Sequence, residues 1–311
     1  AIFANVIAPH DHIKADLRSR LEPPGWMGPK SSVKIIVEKV RDGATQFSIN
    51  DVGRLKQGVQ VGQTKQDPSN VQLGDELEFI RRTDGSWSKP FGTDKLGRDI
   101  LSRIIHGSRV SLTVSVLAIA LGGGLGVILG LLAAYKGGIT DTLIIRLVDI
   151  KLAFPSILLA LVLVAAWKPG LLTVIIVISV LLWARYARVV RGEAMAIMNR
   201  DFIDRAQVAG ASNFRIMARH IFPNLMNTAV VLATLEVGHV IILESTLSFL
   251  GAGIPRPTPA WGVMVADGRE LIVAAWWIFF FPCVAIVLTV LSMNLLGDWL
   301  RDKLDPKLRN I

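Results

Sequence analysis

Long apolar stretches run through the chain and are separated by short polar segments. Two of them, residues 110–134 and 273–297, contain no charged residue at all. About 20 apolar residues are enough for a helix to cross the ~30 Å hydrocarbon core of a membrane. Three further stretches are apolar apart from a few charges. The pattern therefore predicts five spans, at residues 110–134, 145–167, 171–191, 225–249 and 273–297.

The composition agrees with a membrane protein. Of the 311 residues, 51% are hydrophobic and 19% are charged, whereas a soluble domain has about 25% charged residues. The mean hydropathy is +0.48 and the net charge is +9. Lys and Arg collect in the cytoplasmic loops of membrane proteins, so the excess charge needs no nucleic acid to explain it. The single cysteine excludes a disulfide framework and a multi-cysteine metal site.

The distribution of arginine predicts how the chain is oriented. Residues 185–219 contain seven arginines against three acidic residues, whereas residues 251–270 are balanced in charge. Because cytoplasmic loops are the arginine-rich ones, we expect the loop 192–224 and the tail 299–311 in the cytoplasm. Residues 9–106 then lie outside the membrane. The apolar residues 1–8 fit the end of a first transmembrane helix.

Part of the outer segment has the pattern of β-structure. Short runs rich in β-branched and aromatic residues occur at 33–40, 46–52 and 77–80, with glycines between them. We therefore expect a small external β-rich insertion at about residues 31–88.

The loop 199–224 is predicted to form two short helices. Asp201 can cap the first helix, and Gly210 can end it in the left-handed conformation. Ser212 can cap the second helix, and Pro223 is expected to end it. Helices this short and amphipathic do not fold alone, so we expect them to dock onto another surface.

Two kinds of protein use such a loop. An arginine-rich helix pair joined at a glycine is also typical of a helix-turn-helix that binds DNA, but both ends of this loop run into membrane spans. The loop also resembles the coupling loop of ATP-binding cassette (ABC) importer permeases, with its pattern Glu-Ala-Ala, three residues, Gly, nine residues and Ile-x-Leu-Pro. Asp204-Arg205-Ala206, Gly210 and Pro223 lie at the matching positions.

Further blocks resemble one subgroup of that family, the C-type permease subunits of dipeptide, oligopeptide and nickel importers. The resemblance covers about residues 90–311 and implies an all-α polytopic membrane protein with a type I ABC importer transmembrane domain at 107–298. Such a subunit forms half of the translocation pore for peptides or similar solutes. The blocks occur in the family's order, at residues 91–99, 219–224, 244–251, 259–262 and 294–306.

The resemblance also implies a complex in the cell inner membrane. Its members are a second, B-type permease subunit, two cytoplasmic ATPase subunits and an external substrate-binding protein. No G-x-x-x-x-G-K-[ST] phosphate-binding loop occurs in the chain, so we expect ATP and Mg on the ATPase subunits, no cofactor or metal in this chain, and no enzymatic activity of its own. The coupling residues that the resemblance implies are Asp201, Asp204, Arg205, Ala206, Gly210, Ala211 and Pro223.

Three polar residues interrupt the fourth predicted span, namely Glu236, His239 and Glu244. A charge at membrane depth costs several kcal/mol unless it is paired or faces water. These residues either line the solute path, where they would contact a peptide's amino terminus, or satisfy one another between helices. A third hypothesis makes the chain an ion-coupled secondary transporter that uses Glu236 and His239.

Two local patterns predict helix geometry. Gly122, Gly126 and Gly130 recur every four residues, which indicates that a neighbouring helix approaches closely. The pair Phe154-Pro155 predicts a kink or a helix start.

Overall fold

Four long apolar helices organise the first of two structural units, which comprises Ala1–Ala8 and Ser102–Ile311. The structure is a computed structural model that describes residues 1, 4–27, 32–36, 39–41, 44–46, 76–80 and 85–304. The helices are α1 (Ala4–Ile7), α2 (Ile100–Ala118), α3 (Gly124–Lys136), α4 (Gly138–Ala153), α5 (Ser156–Ala166), α6 (Leu171–Met198), α7 (Asp201–Val208), α8 (Asn213–Arg215), α9 (Phe222–Phe249), α10 (Trp261–Gly268) and α11 (Trp277–Leu304).

The candidate membrane spans differ in part from the predicted ones. Among the described residues, four helical stretches are long and apolar enough to cross a membrane: Ile100–Lys136, Leu171–Met198, Asn213–Phe249 and Trp277–Lys303. Two of them begin before the predicted spans and three end beyond them, because polar residues at their ends remain helical.

The predicted span 145–167 is divided into two helices, and the bend predicted from Phe154-Pro155 is confirmed. This stretch consists of α4 and α5, which meet at an angle of 93° and count as a span only as a bent pair. The break lies at Phe154, whose backbone is extended at φ −87° and ψ 136°. The ring of Pro155 disfavours the helical conformation for the residue before it, which explains the bend.

Two stretches of π-helix lie inside the long helices. Ile119–Gly123 connects α2 to α3, and Ile216–Ile221 connects α8 to α9. Pro223 was expected to end the second loop helix, and this is wrong. It lies in the first turn of α9, where a proline is tolerated because its missing N–H is not needed. The second helix of the loop therefore continues directly into a candidate membrane span.

The close approach predicted from the glycine repeat is confirmed between α3 and α6. A Cβ atom on Gly122 would lie 2.4 Å from the carbonyl oxygen of Ser179, and one on Gly126 would lie 2.4 Å from that of Trp183. A Cβ atom on Gly130 would likewise lie 2.5 Å from the carbonyl oxygen of Ala187, one turn further along α6. Hydrogen at these positions lets the two backbones pack without side chains between them.

Two large clusters of buried side chains lie in the described part of this unit. One cluster joins α2, α5, α6 and α9 and includes Val114, Val164, Ile178, Val240 and Leu247. The other lies where the loop helices meet α6 and α9, and its members include Val190, Ile197, Ile203, Ile216, Ile221 and Leu225.

The second unit, Pro9–Leu101, has two chain segments joined by backbone hydrogen bonds. Leu21 N–H donates to the carbonyl of Asp94 at 3.1 Å, and Thr93 N–H donates to that of Glu22 at 2.9 Å. The Asp94 carboxylate accepts from Arg98 Nε at 2.7 Å, and both side chains are buried. The segments before and after the predicted insertion are thereby held side by side.

Among the described residues between those segments are four short strands. β1 (Ser32–Ile36) pairs antiparallel with β4 (Glu76–Ile80), and β2 (Lys39–Arg41) pairs antiparallel with β3 (Ala44–Gln46). The predicted run 33–40 thus contributes to β1 and β2, and 77–80 falls within β4. Most of the predicted strand 46–52 lies outside the described residues.

Substitution of the packed glycine is expected to destabilise the bundle. A Gly126→Ala change places a methyl group 2.4 Å from the Trp183 carbonyl oxygen and 2.5 Å from Tyr186 Cβ, so α3 and α6 must separate, at a cost of about 1–3 kcal/mol. The matched control is Gly124→Ala, because a Cβ there has no neighbour within 4 Å. Thermal unfolding in detergent measures both, and equal melting temperatures would contradict the packing argument.

Candidate functional site

The first loop helix, α7, begins differently from the prediction. Its N-cap is Arg200, which has extended backbone geometry and no side-chain cap. Asp201 is the first helical residue, so the expected Asp201 cap is wrong. Asp201 and Asp204 still lie in the first turn, where a negative charge interacts favourably with the helix dipole.

Gly210 ends α7 as its sequence position indicates. Its φ is +77°, a conformation that glycine adopts at no steric cost. Gly210 N–H donates to the carbonyl of Gln207 at 2.9 Å, and Ala211 N–H donates to that of Ala206 at 3.0 Å. These two bonds form a Schellman motif. Ser212 then caps α8 by accepting a hydrogen bond from Arg215 N–H at 3.4 Å.

The inner face of the loop packs onto its own chain. Ile203 is 1% exposed and lies in the same buried cluster as Ile216, Ile221 and Leu225. Ala206 and Ala211 also pack against this cluster. The two alanines therefore attach α7 to the membrane helices.

The outer face of the loop carries large apolar side chains in solvent. Val208 is 90% exposed, Phe214 is 76% exposed and Phe202 is 39% exposed. We call Phe202, Val208 and Phe214 the loop patch. All three belong to one short segment of the chain, and exposed apolar residues that form a patch mark protein interaction sites. Sequence reasoning missed Val208 and Phe214, although both are apolar residues in an otherwise arginine-rich polar loop.

Three arginines on one face of α6 pair with acidic residues of neighbouring helices. Arg188 contacts Asp149 of α4, and Arg191 Nη2 donates to Asp141 Oδ2 of α4 at 2.5 Å. Arg185 Nη1 lies 2.8 Å from Oε1 of Glu236 on α9. Their spacing of three residues places them on successive turns of one helix face. In the sequence these arginines indicate only how the chain is oriented in the membrane, and their acidic partners are not evident.

Glu236 is buried at 1% exposure, and its partner is a cation. A mutual Glu236–His239 pair was one of the expectations, and it is wrong: His239 is exposed, and α6 supplies Arg185 instead. Within the described part of the chain, the second carboxylate oxygen of Glu236 has no hydrogen-bond partner.

Glu244 lies in a separate environment nearer the end of α9. It is fully buried and accepts a hydrogen bond from Ser248 Oγ at 2.7 Å. The second carboxylate oxygen, Oε2, has no hydrogen-bond partner among the described residues. Glu244 is therefore held by a serine one turn further along its own helix.

The described residues contain no cluster of three or more His, Cys, Asp or Glu side chains that could hold a metal ion. The candidate sites are the loop patch and the Arg185–Glu236 pair.

Comparison with known proteins gives consistent matches. The family described as "Binding-protein-dependent transport system inner membrane component" matches residues 126–310. The chain is 44% identical over 219 residues to the di/tripeptide transport system permease protein DppC of Pseudomonas aeruginosa, covering 70% of this chain and 72% of that protein. It is 42% identical to the glutathione transport system permease protein GsiD of Pectobacterium atrosepticum, covering 75% and 78% of the two chains.

A solved structure shares the fold. A chain of the MetNI methionine ABC transporter, in an inward-facing conformation, matches with a TM-score of 0.54 at 18% identity. The match covers 65% of this chain and 96% of that chain.

Glu236 is buried whereas Arg185 is exposed. Removing one or the other charge is therefore expected to lower the stability of the protein by different amounts. Arg185→Gln leaves a buried carboxylate without its cation and is expected to cost about 3 kcal/mol or more. Glu236→Gln should cost less, because the Arg185 side chain is 56% exposed and can be hydrated. The double variant should be more stable than Arg185→Gln alone. Thermal unfolding of the three variants measures this order, and equal losses would show that Arg185 does not compensate the buried charge.

Proposed function

The chain belongs to the family of binding-protein-dependent transport system inner membrane components, and we propose that it is the permease subunit of an ATP-driven importer for small peptides. Similarity to permeases named for di/tripeptides and for glutathione supports the cargo class. The observation that carries the coupling role is the loop patch, an exposed apolar surface between two membrane helices.

The loop patch is the docking surface for a cytoplasmic ATPase in this proposal. Phe202, Val208 and Phe214 supply apolar contact, and Asp204 and Arg205 are exposed beside them for charge pairing. An apolar centre with a polar rim is the usual anatomy of a protein interface.

The attachment of the loop explains how movement at this surface would reach the membrane. Ile203 fixes α7 to the buried cluster that includes α6 and α9 residues. From Asn213 the chain is helical without a break to Phe249. A displacement of the loop patch by ATPase closure would therefore shift α6 and α9 together and change the access of the pore.

The chain and its complex have the following proposed arrangement. The C-terminus lies in the cytoplasm, and the partners are a B-type permease, two ATPase subunits that bind ATP and Mg, and an external binding protein. The proposed regions are 1–8 as the end of a first transmembrane helix, 9–106 as an external segment with a β-rich insertion at 31–88, 107–298 as the transmembrane domain with the coupling loop 192–224, and 299–311 as the cytoplasmic tail.

The secondary-transporter hypothesis is not favoured. It needs Glu236 and His239 to act together, whereas Glu236 is paired with Arg185 and His239 is exposed. The DNA-binding hypothesis is also disfavoured, because Ile203 anchors the loop helix to the membrane helices.

A charge placed in the loop patch should release the ATPase. We expect Val208→Asp to abolish co-purification of a soluble ATPase with the tagged permease in mild detergent, because it puts a carboxylate into an apolar contact. The matched control is Val273→Asp, which changes another valine that is 95% exposed and lies at the other end of the bundle. Purification with each variant, followed by an ATPase assay, measures the outcome.

Retention of the ATPase by Val208→Asp would contradict the assignment of the loop patch. The proposed function as a whole would be contradicted if the wild-type protein purified without any ATPase and still moved solute without ATP.

A further inference from the structure

We propose that Arg185 binds a carboxylate group of the cargo on the translocation path, with Glu236 as the residue that positions it. This inference rests on the proposed peptide import function and specifies which chemical group of the peptide the permease contacts. It is carried by the depth, the exposure and the charge balance of the Arg185–Glu236 pair.

The pair lies deep within the bundle. Leu171, where α6 begins, and Phe249, where α9 ends, are on the same side of these antiparallel helices. Arg185 and Glu236 are each about 20 Å from those ends at 1.5 Å per residue. With a hydrocarbon core of ~30 Å, this distance places both charges at membrane depth.

The guanidinium of Arg185 is only partly used by its partner. One nitrogen, Nη1, contacts Glu236, yet the side chain is 56% exposed. An arginine has five N–H donors in a planar fork. A charged group exposed at this depth cannot face lipid without a cost of several kcal/mol, so intramembrane arginines face a water-filled cavity or a partner. The free side of Arg185 therefore lines an aqueous path.

The surrounding charges leave a net positive site. The half-buried Lys151 of α4 lies within electrostatic range of both Arg185 and Glu236. Two cations and one carboxylate carry one net positive charge. A planar guanidinium with free donors matches a carboxylate in a two-point geometry, so an anionic cargo group complements this site.

The cargo group that fits this site has the opposite charge to the one expected from the sequence. Glu236 suggested contact with a peptide's amino terminus, but its carboxylate is buried and paired with Arg185. The exposed member of the pair is the cation. The permease would then contact the carboxylate end of a peptide.

The test compares uptake of three peptides by the full complex in vesicles with ATP and the binding protein. The probes are alanyl-alanine, its C-terminal amide, and the C-terminal amide of alanyl-glutamate, each at a concentration that saturates the binding protein. The wild type should transport the free acid about tenfold faster than the simple amide, as one charge-assisted hydrogen bond permits. The Arg185→Gln/Glu236→Gln double variant should lose this ratio, and Arg185→Lys should keep part of it.

The third peptide identifies which carboxylate is bound. Uptake of the glutamate amide at the rate of the free acid assigns the contact to any cargo carboxylate, and uptake at the rate of the simple amide assigns it to the C-terminal one. The control is Arg188→Gln/Asp149→Asn, which removes the neighbouring ion pair of the same helix face and should preserve the acid-to-amide ratio.

Three results would overturn the inference. The first is a wild-type ratio near one, and the second is an unchanged ratio in the double variant. The third is loss of the second permease subunit from the purified double variant, which would mean that Arg185 pairs with an acidic group of that subunit. If the wild type shows no ATP-dependent peptide uptake, the proposed function itself is refuted. The wild-type measurement alone gives this result, so the two failures can be distinguished.

Discussion

The pairing of charges inside the membrane helices is the constraint on which this structure depends. Burying one ion costs several kcal/mol even in a relaxed protein, so a buried acid among the α-helices needs a cation, as Glu236 has in Arg185, or a hydrogen bond, as Glu244 has from Ser248. The arginines of α6 meet that requirement for α4 through Arg188 and Arg191, and for α9 through Arg185. Because α6 forms ion pairs with both α4 and α9, it sets the alignment of these two helices.

Close helix packing makes that alignment possible. The glycines of α3 bring its backbone against α6 on a different face, and the bend at Phe154 turns α4 away from α5, so that Asp141 and Asp149 reach the arginines. The loop patch is tied to the same assembly through Ile203. The apolar docking surface and the charged interior are therefore parts of one connected packing arrangement.

Much of this organisation was predictable from sequence. The apolar stretches identified the membrane helices, since length and hydropathy are local properties, and the glycine spacing identified the α3 contact. The end of α7 was predicted from Gly210, because the left-handed conformation found there suits glycine. Boundaries were less accurate. Pro223 was read as a stop, but a proline is equally suited to a first helical turn, and only the position of the helix distinguishes these cases.

The sequence by itself determined that this is a membrane permease with an attached loop, because periodicity, composition and ordered motifs are properties of the chain alone. Only the tertiary structure decided which side chains meet. Glu236 and His239 are neighbours in sequence, yet Glu236 pairs with Arg185 on another helix. Val208 was recognised as a docking candidate only because the structure shows it exposed, whereas Ile203 on the same helix is buried. Electrostatic pairing and burial act between segments distant in the chain, so local patterns do not specify them.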